Sequence, residues 1–302
     1  MILGYNTNGF SHHRLVDAIR ILAGLGYRAL ALTPDVHHLD VTQPGWEKEA
    51  KTIGKILDDH GMVRVIETGA RFILDPNRKH RPTLLEEDKQ SRQIRRDYLI
   101  RSMDLATQLG SPLISFWAGK AFSENGPREK LRDRLVEECF LMANEAATRG
   151  LRIGFEPEPG MLVETTSEGL DLVARVGHPA FCLTIDIGHL QCMGENIKEN
   201  LDLALSKTIN IHFEDMRCGV HDHLPPGEGE IDLVAVMNQM LEKKFDGPVC
   251  VELSRHSHDA VATATETMNW FKGNGFALAS DGHGDGGKVD CGNRGSLFGK
   301  NA

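Results

Sequence analysis

Short apolar runs alternate with helix-like segments along most of this 302-residue chain. A helix repeats its apolar residues every three or four positions, whereas a strand alternates its side chains between two faces. Eight alternations of strand and helix precede residue 273, and such repetition predicts a parallel sheet. The predicted strands cover residues 2–6, 28–33, 63–67, 112–117, 152–156, 182–186, 208–212 and 248–252.

Each of the last four predicted strands ends in an acidic residue or a histidine. In each of them the polar residue shares its face with small or polar residues, and aliphatic residues occupy the opposite face. The four positions are separated by 30, 26 and 40 residues, about one strand and one helix each time. They are Glu156, Asp186, His212 and Glu252.

Eight strands are the number that closes a parallel barrel, so we predict an α/β fold of the (β/α)8 TIM barrel type. A doubly wound open sheet is the alternative, but only a few strand ends reach its ligand crevice. Four successive polar strand ends therefore favour closure. The predicted barrel covers residues 1–272. Residues 273–302 contain nine glycines and no periodic pattern, which predicts a flexible, disordered C-terminal tail.

In a barrel the four polar strand ends point to one spot. Three carboxylates and an imidazole would repel one another there unless a divalent cation lay between them. Oxygen donors with one imidazole suit Mn²⁺, Mg²⁺ or Co²⁺, and Zn²⁺ also accepts such a set. The sequence therefore predicts one divalent metal ion bound by Glu156, Asp186, His212 and Glu252.

Further polar and aromatic residues lie close to predicted strand ends and are candidates for substrate contacts. The pair His-x-His after the seventh strand can bind substrate hydroxyls or a second metal. Several candidates also have a structural alternative, such as an ion pair between Arg71 and Glu67 or a core position for Trp117. The candidates are His189, Arg71, Trp117, His221, His223 and Glu158.

Composition and the absence of certain motifs disfavour several classes of binding partner, location and reaction. A net charge of −9 argues against a nucleic-acid partner, since phosphate contacts need a dense basic face. Six irregularly spaced cysteines suit free thiols in a reduced compartment. The first residues lack a signal-peptide pattern, and no apolar run suggests a membrane span, so we expect a cytoplasmic protein. No P-loop, nucleophile elbow or dinucleotide fingerprint is found, which disfavours hydride transfer and acyl-enzyme chemistry.

The order of motifs resembles the xylose isomerase-like barrel superfamily. The matching residues are Glu156, Asp186-Ile-Gly-His189, His212, the segment 226–232 and Glu252. The superfamily includes sugar phosphate isomerases and epimerases, ketose 3-epimerases, hydroxypyruvate isomerase, inosose dehydratase and endonuclease IV. The resemblance covers about residues 1–272 and is specific for the superfamily, not for a substrate.

The resemblance implies roles for the matching residues. In epimerase-type members the four strand-end residues bind one metal, the two glutamates also act as acid and base, and the residue matching His189 contacts substrate. Endonuclease IV-like members bind three zinc ions and need histidines at the third and fourth strand ends, where this chain has Thr68 and Trp117. Epimerases also place an arginine six residues after the metal histidine, where this chain has Cys218.

We therefore predict a metal-dependent isomerase or epimerase that acts on a small keto-sugar, polyol or hydroxy-carbonyl compound, sugar phosphates included. Glu156 and Glu252 would exchange a proton with the substrate through an enediolate. The alternatives are an inosose-type dehydratase, a zinc phosphodiesterase in which His221 and His223 hold extra zinc, and a barrel that binds ligand without catalysis. Related barrels often pair, which predicts a homo-oligomer.

Overall fold

The computed structural model of the protein describes residues 1–276. Eight parallel strands form a closed barrel, and an antiparallel hairpin follows its seventh strand. The strands are β1 (Ile2–Asn6), β2 (Ala29–Leu32), β3 (Val63–Glu67), β4 (Leu113–Trp117), β5 (Arg152–Glu156), β6 (Phe181–Asp186), β7 (Thr208–Phe213), the hairpin strands β8 (Asp215–Arg217) and β9 (Val220–Leu224), and β10 (Pro248–Val251).

Closure occurs where β1 pairs with both β2 and β10. Helices connect successive barrel strands, as expected for parallel pairing. They are α1 (Leu15–Leu25), α2 (Trp46–Asp59), α3 (Lys89–Leu109), α4 (Arg128–Thr148), α5 (Thr166–Val176), α6 (Ile187–Cys192), α7 (Ile197–Ala204), α8 (Leu233–Glu242) and α9 (Ala260–Gly273). The predicted TIM barrel is confirmed. The hairpin lies outside the eight predicted strands.

The core has two layers, which follow from the alternation of strand side chains. Large aliphatic and aromatic residues pack between the strands and the helices. A smaller cluster fills the barrel interior below the polar strand ends. This inner cluster consists of Ala29, Ala31, Val65, Leu113, Cys182, Ile209 and Cys250.

The predicted face of one residue is wrong. Alternation along the seventh strand placed Ile209 on the outer face, yet it packs in the inner cluster. The pairing of β6 with β7 shifts register at this point, because Leu183 faces Thr208 and Thr184 faces Asn210. Such a bulge leaves one residue unpaired and changes the direction of its side chain. Beyond it, Asn210 and His212 share the polar face as predicted.

At the C-terminal side, α9 continues to Gly273, and the ring of Phe276 stacks on Trp270 at 6.0 Å. The remainder of the predicted tail, residues 277–302, lies outside the described residues. Each helix in residues 1–276 is too short or too polar to cross a bilayer.

Candidate active site

The structure brings the four polar strand ends together at the C-terminal end of the barrel. Glu156 ends β5, Asp186 ends β6, His212 lies in β7 and Glu252 follows β10. Their ligand-type atoms all lie within 4.8 Å of one another. The Nδ1 atom of His212 is 2.8 Å from Glu252 Oε2, 3.0 Å from Glu156 Oε1 and 3.8 Å from Asp186 Oδ2. One ring nitrogen therefore faces three carboxylates.

The opposite nitrogen of His212 fixes the state of this ring. Its Nε2 lies 3.0 Å from Glu67 Oε1, and Asn210 Nδ2 donates to the same oxygen at 2.9 Å. A carboxylate only accepts, so Nε2 carries the hydrogen and donates to Glu67. The Nδ1 atom that faces the three carboxylates is then free to bind a cation. Glu67 thus contacts His212 and Asn210 and does not form the ion pair with Arg71 that was one alternative.

Electrostatics indicate that Nδ1 needs a positive partner. Burial alone would lower the pKa of His212, but the carboxylates of Glu67, Glu156 and Glu252 outweigh it and raise that pKa well above its usual range. Without a metal, therefore, a proton occupies Nδ1 and balances part of the negative charge. A metal ion would compete with this proton for the same atom.

The two oxygens of Asp186 have different environments. Oδ1 accepts a hydrogen bond of 2.9 Å from the backbone N–H of His189 and caps α6. Oδ2 is buried, faces the site and makes no hydrogen bond in the described part of the chain; two ring nitrogens lie near it, His189 Nε2 at 3.5 Å and His212 Nδ1 at 3.8 Å. A buried carboxylate oxygen without a partner is costly unless a cation is close. This oxygen, with the other three donors, fits a divalent metal ion.

The two glutamates of the site differ in their surroundings. Burial raises the pKa of Glu156 above its ordinary value. Burial would also raise the pKa of Glu252, but the charge of His212 and hydrogen bonds from His212 and Asn8 outweigh it and lower that pKa. Asn8 Nδ2 donates to Glu252 Oε1 at 2.7 Å. Two carboxylates beside one imidazole are thus held in distinct electrostatic states.

A cluster of three histidines lies beside this set. His189 Nε2 is 3.1 Å from His221 Nε2, and His189 Nδ1 is 3.2 Å from the carbonyl oxygen of Pro157. His223 Nδ1 lies 3.0 Å from Oε1 of buried Glu214. Burial lowers the pKa of His221 to about 4 and also lowers the pKa of His223. Neutral rings can donate or accept hydrogen bonds, so these two suit sugar hydroxyls.

The three histidines border a cavity of about 580 Å³ together with three of the four strand-end residues, Glu156, His212 and Glu252. Glu158 also lines it, and burial together with the charge of Glu156 raises the pKa of Glu158 to about 8. Trp117 contributes a wall and is only 6% exposed, with the edge of His80 at 5.0 Å from its ring. Arg71 lies at the same cavity. Every residue that the sequence nominated for substrate contact therefore borders this cavity.

Sequence reasoning missed several polar residues of the site. Glu214 has the same strand parity as His212, so that pattern could have found it. Asn8 follows the first strand in a short 3-10 turn, and no periodic pattern marks it. His80 lies in the long polar segment between β3 and α3, which has no periodic pattern.

Residues 19–274 match the family model described as xylose isomerase-like TIM barrel. The chain belongs to this family. Among curated relatives, L-ribulose-5-phosphate 3-epimerase UlaE from Shigella flexneri is 22% identical to this chain over 265 residues. That alignment covers 85% of this chain and 88% of the relative.

Solved structures share the xylose isomerase-like fold at low sequence identity. Apo 3-keto-D-glucoside 4-epimerase YcjR from E. coli superposes with a TM-score of 0.74 and 13% identity, covering 90% of this chain and 99% of that chain. The D-psicose 3-epimerase of Clostridium cellulolyticum H10 with D-tagatose gives a TM-score of 0.72 and 14% identity, covering 92% of this chain and 100% of that chain. At this level of identity the likeness shows the fold.

Proposed function

We propose that the protein is a divalent-metal-dependent isomerase or epimerase of a small keto-sugar or related hydroxy-carbonyl compound. The observation that carries this proposal is the position of Glu156 and Glu252, two carboxylates that contact the same His212 nitrogen at the floor of a sugar-sized cavity. Sugar epimerases among the relatives support the same reaction class.

Glu156, Asp186, His212 and Glu252 would hold the metal. When bound, a divalent cation polarises a carbonyl and stabilises negative charge on its oxygen. The partnerless Oδ2 of Asp186 and the Nδ1 of His212 are the atoms that most clearly need such a charge. In this proposal Asp186 and His212 bind metal, whereas the two glutamates also move protons.

Proton transfer is assigned to the two glutamates. One carboxylate removes the proton on the carbon next to the carbonyl, which leaves an enediolate. The other glutamate returns a proton, to the opposite face of the same carbon in an epimerase or to the neighbouring carbon in an isomerase. Asn8 donates to Glu252 Oε1 and so fixes the direction in which this carboxylate points.

Binding and orientation are assigned to the rest of the cavity. His189, His221, His223 and Glu158 offer hydrogen bonds to substrate hydroxyls. The ring of Trp117 offers an apolar face for sugar carbons. A substrate held by these groups would have its reacting carbon above the two glutamates.

The first test combines a panel of ketoses, inososes and hydroxypyruvate with Glu156→Gln and Glu252→Gln. Each variant removes a proton acceptor while keeping the side-chain shape, so turnover should fall by about 100- to 10,000-fold. Proton NMR in D2O should show solvent deuterium at the carbon next to the carbonyl with the wild type. Exposed Glu87, which lies outside the cavity, supplies the control Glu87→Gln with wild-type turnover. Near-wild-type rates in both active-site variants would contradict the assignment.

Product analysis and metal counting separate the alternatives. An isomerase or epimerase conserves the mass of the substrate, whereas a dehydratase releases water. Elemental analysis of the purified protein should give about one metal equivalent per chain. Three zinc equivalents with cleavage of nucleic acid would replace this proposal by a phosphodiesterase.

A further inference from the structure

Two thiols with access to solvent lie beside the histidine cluster. Cys139, Cys182 and Cys250 are buried, whereas Cys192 is half-buried and Cys218 is exposed. All five are free thiols. Cys192 is the last residue of α6, and Cys218 lies in the turn between β8 and β9. An oxidant in solution therefore reaches these two thiols more easily than the other three.

The two cysteines meet where the hairpin turn contacts the end of α6. The N–H of Gly219 donates to the carbonyl oxygen of Cys192 at 3.0 Å, so the turn lies against the helix at these residues. The sulfur of Cys218 is directed toward the same helix end, because a Cβ atom added at Gly194 would lie 3.9 Å from it. A disulfide joins residues whose Cα atoms are about 4.4–6.8 Å apart, so neighbouring residues in backbone contact are close enough to be linked.

The contact between the turn and α6 is held by a side chain and is adaptable next to the cysteines. Glu230 Oε2 accepts a hydrogen bond from the Cys218 N–H at 3.1 Å and one from Gln191 Nε2 at 3.4 Å, which joins the turn to the helix. Gly194 and Gly219 have φ angles of +67° and +71°, in the left-handed region that glycine adopts without strain. Each glycine follows its cysteine within two residues, so rotations there can bring the two sulfurs to bonding distance.

The same two elements carry a histidine contact of the cavity. His189 lies three residues before Cys192 on α6, and His221 lies three residues after Cys218 on β9. The Nε2 atoms of these two histidines are 3.1 Å apart. Only one turn of helix and one hairpin turn separate the thiols from this contact, so a shift at the thiols also moves both rings.

We propose that Cys192 and Cys218 form a reversible disulfide in the presence of a peroxide, and that this disulfide lowers turnover by moving α6 against the hairpin. Exposed Cys218 reacts first. Its thiolate attacks one oxygen of hydrogen peroxide, the O–O bond breaks, and the hydroxide that leaves takes up the proton that the thiol released. The Cys192 thiol then loses its proton and attacks the sulfenic sulfur, and the S–O bond breaks with release of water. Two thiols are thus oxidised by two electrons, and one peroxide is reduced to two waters.

The chemical test needs no substrate. The full-length wild type, treated with a small excess of hydrogen peroxide, should lose two of its six thiols and regain them with dithiothreitol. Peptide mass spectrometry should identify one cross-link, between Cys192 and Cys218. Cys192→Ser and Cys218→Ser should each prevent it, whereas the matched control Cys139→Ala, at a buried thiol of α4, should keep it. A cross-link to any other cysteine, or loss of thiols without a cross-link, would overturn the inference.

The kinetic test rests on the proposed function and measures ketose turnover before and after peroxide. Turnover of the wild type should fall by about tenfold or more, because small displacements of positioning groups have effects of this size, and dithiothreitol should restore it. Cys192→Ser and Cys218→Ser should start at the wild-type rate and keep it after peroxide. An equal loss in these variants, or unchanged turnover of the cross-linked wild type, would overturn the inference while leaving the proposed function intact. A cross-link in a protein that turns over no ketose would support the disulfide and contradict the proposed function instead.

Discussion

Glu67 illustrates how one residue sets the chemistry of another across the barrel. It accepts hydrogen bonds from His212 and Asn210, both carried by β7. That contact assigns the hydrogen of the imidazole to Nε2 and directs the lone pair of Nδ1 toward the three carboxylates. Under the proposed function, Glu67 would tune the metal affinity without being a ligand.

Removing this carboxylate should weaken metal binding. Glu67→Leu should lower the affinity for Mn²⁺ by about 10- to 100-fold, because His212 loses the acceptor that orients it. Glu67→Gln keeps a neutral acceptor and should fall between Glu67→Leu and the wild type. Calorimetric titration of Mn²⁺ measures the affinities, and circular dichroism checks that each variant is folded. Equal affinity in all three proteins would show that His212 needs no such partner.

For single residues, the sequence predicted which face of its strand each site residue occupies, but not which residue it contacts. Alternation along each strand selected Glu156, Asp186, His212 and Glu252, because parity depends only on local backbone geometry. The partner of His212 is Glu67, 145 residues earlier, and that pairing depends on barrel closure and side-chain rotamers. From the sequence, an ion pair between Glu67 and Arg71 was one alternative, since Arg71 is only four residues away.

At the scale of elements, the polar site depends on the close packing of the strands below it. Gly154 lies two residues before Glu156, and its missing side chain makes room for β6. A Cβ atom at Gly154 would lie 2.3 Å from Thr184 Oγ1, which itself contacts Ser115 Oγ at 3.0 Å. Gly154 therefore allows β5 and β6 to keep their spacing inside the barrel.

Filling this space should destabilise the barrel. Gly154→Ala should cost about 1–3 kcal/mol of unfolding free energy, because the added methyl group overlaps Thr184. Gly24 in α1 is the matched control, since a Cβ atom there would meet nothing within 4 Å. Gly24→Ala should leave stability unchanged or raise it by up to about 1 kcal/mol, as alanine favours a helix. Urea unfolding of both variants measures the difference, and equal stabilities would show that the strands adjust to the methyl group.

The hairpin β8–β9 shows what periodicity could not predict about an element. Its segment is short and polar, so it had the composition of a loop. Buried Asp215 stabilises the following turn by accepting hydrogen bonds from the backbone N–H groups of Gly227 and Ile231 at 2.9 and 3.0 Å. These contacts position the strand that carries His221 and His223, and they depend on tertiary structure.

For the whole molecule, the closed barrel was predictable because eight strand-helix units repeat one simple pattern. Closure also concentrates negative charge, since it brings carboxylates from four different strands to His212. Such a site opposes folding unless a cation is bound, so metal binding and folding should be coupled. At 100 times its dissociation constant, a metal would add about 2.7 kcal/mol to the unfolding free energy.

Chelation should therefore lower Tm, and Asp186→Asn should remove this dependence. Asparagine can still cap α6 through its carbonyl oxygen, so the variant changes mainly the partnerless Oδ2. Without metal, the Asp186→Asn variant should be at least as stable as the wild type, because it buries one charge fewer. With Mn²⁺ bound, the wild type should be the more stable of the two proteins. Thermal unfolding with EDTA and with Mn²⁺ measures this crossover. A variant that is less stable by the same amount in both conditions would assign Asp186 a structural role alone.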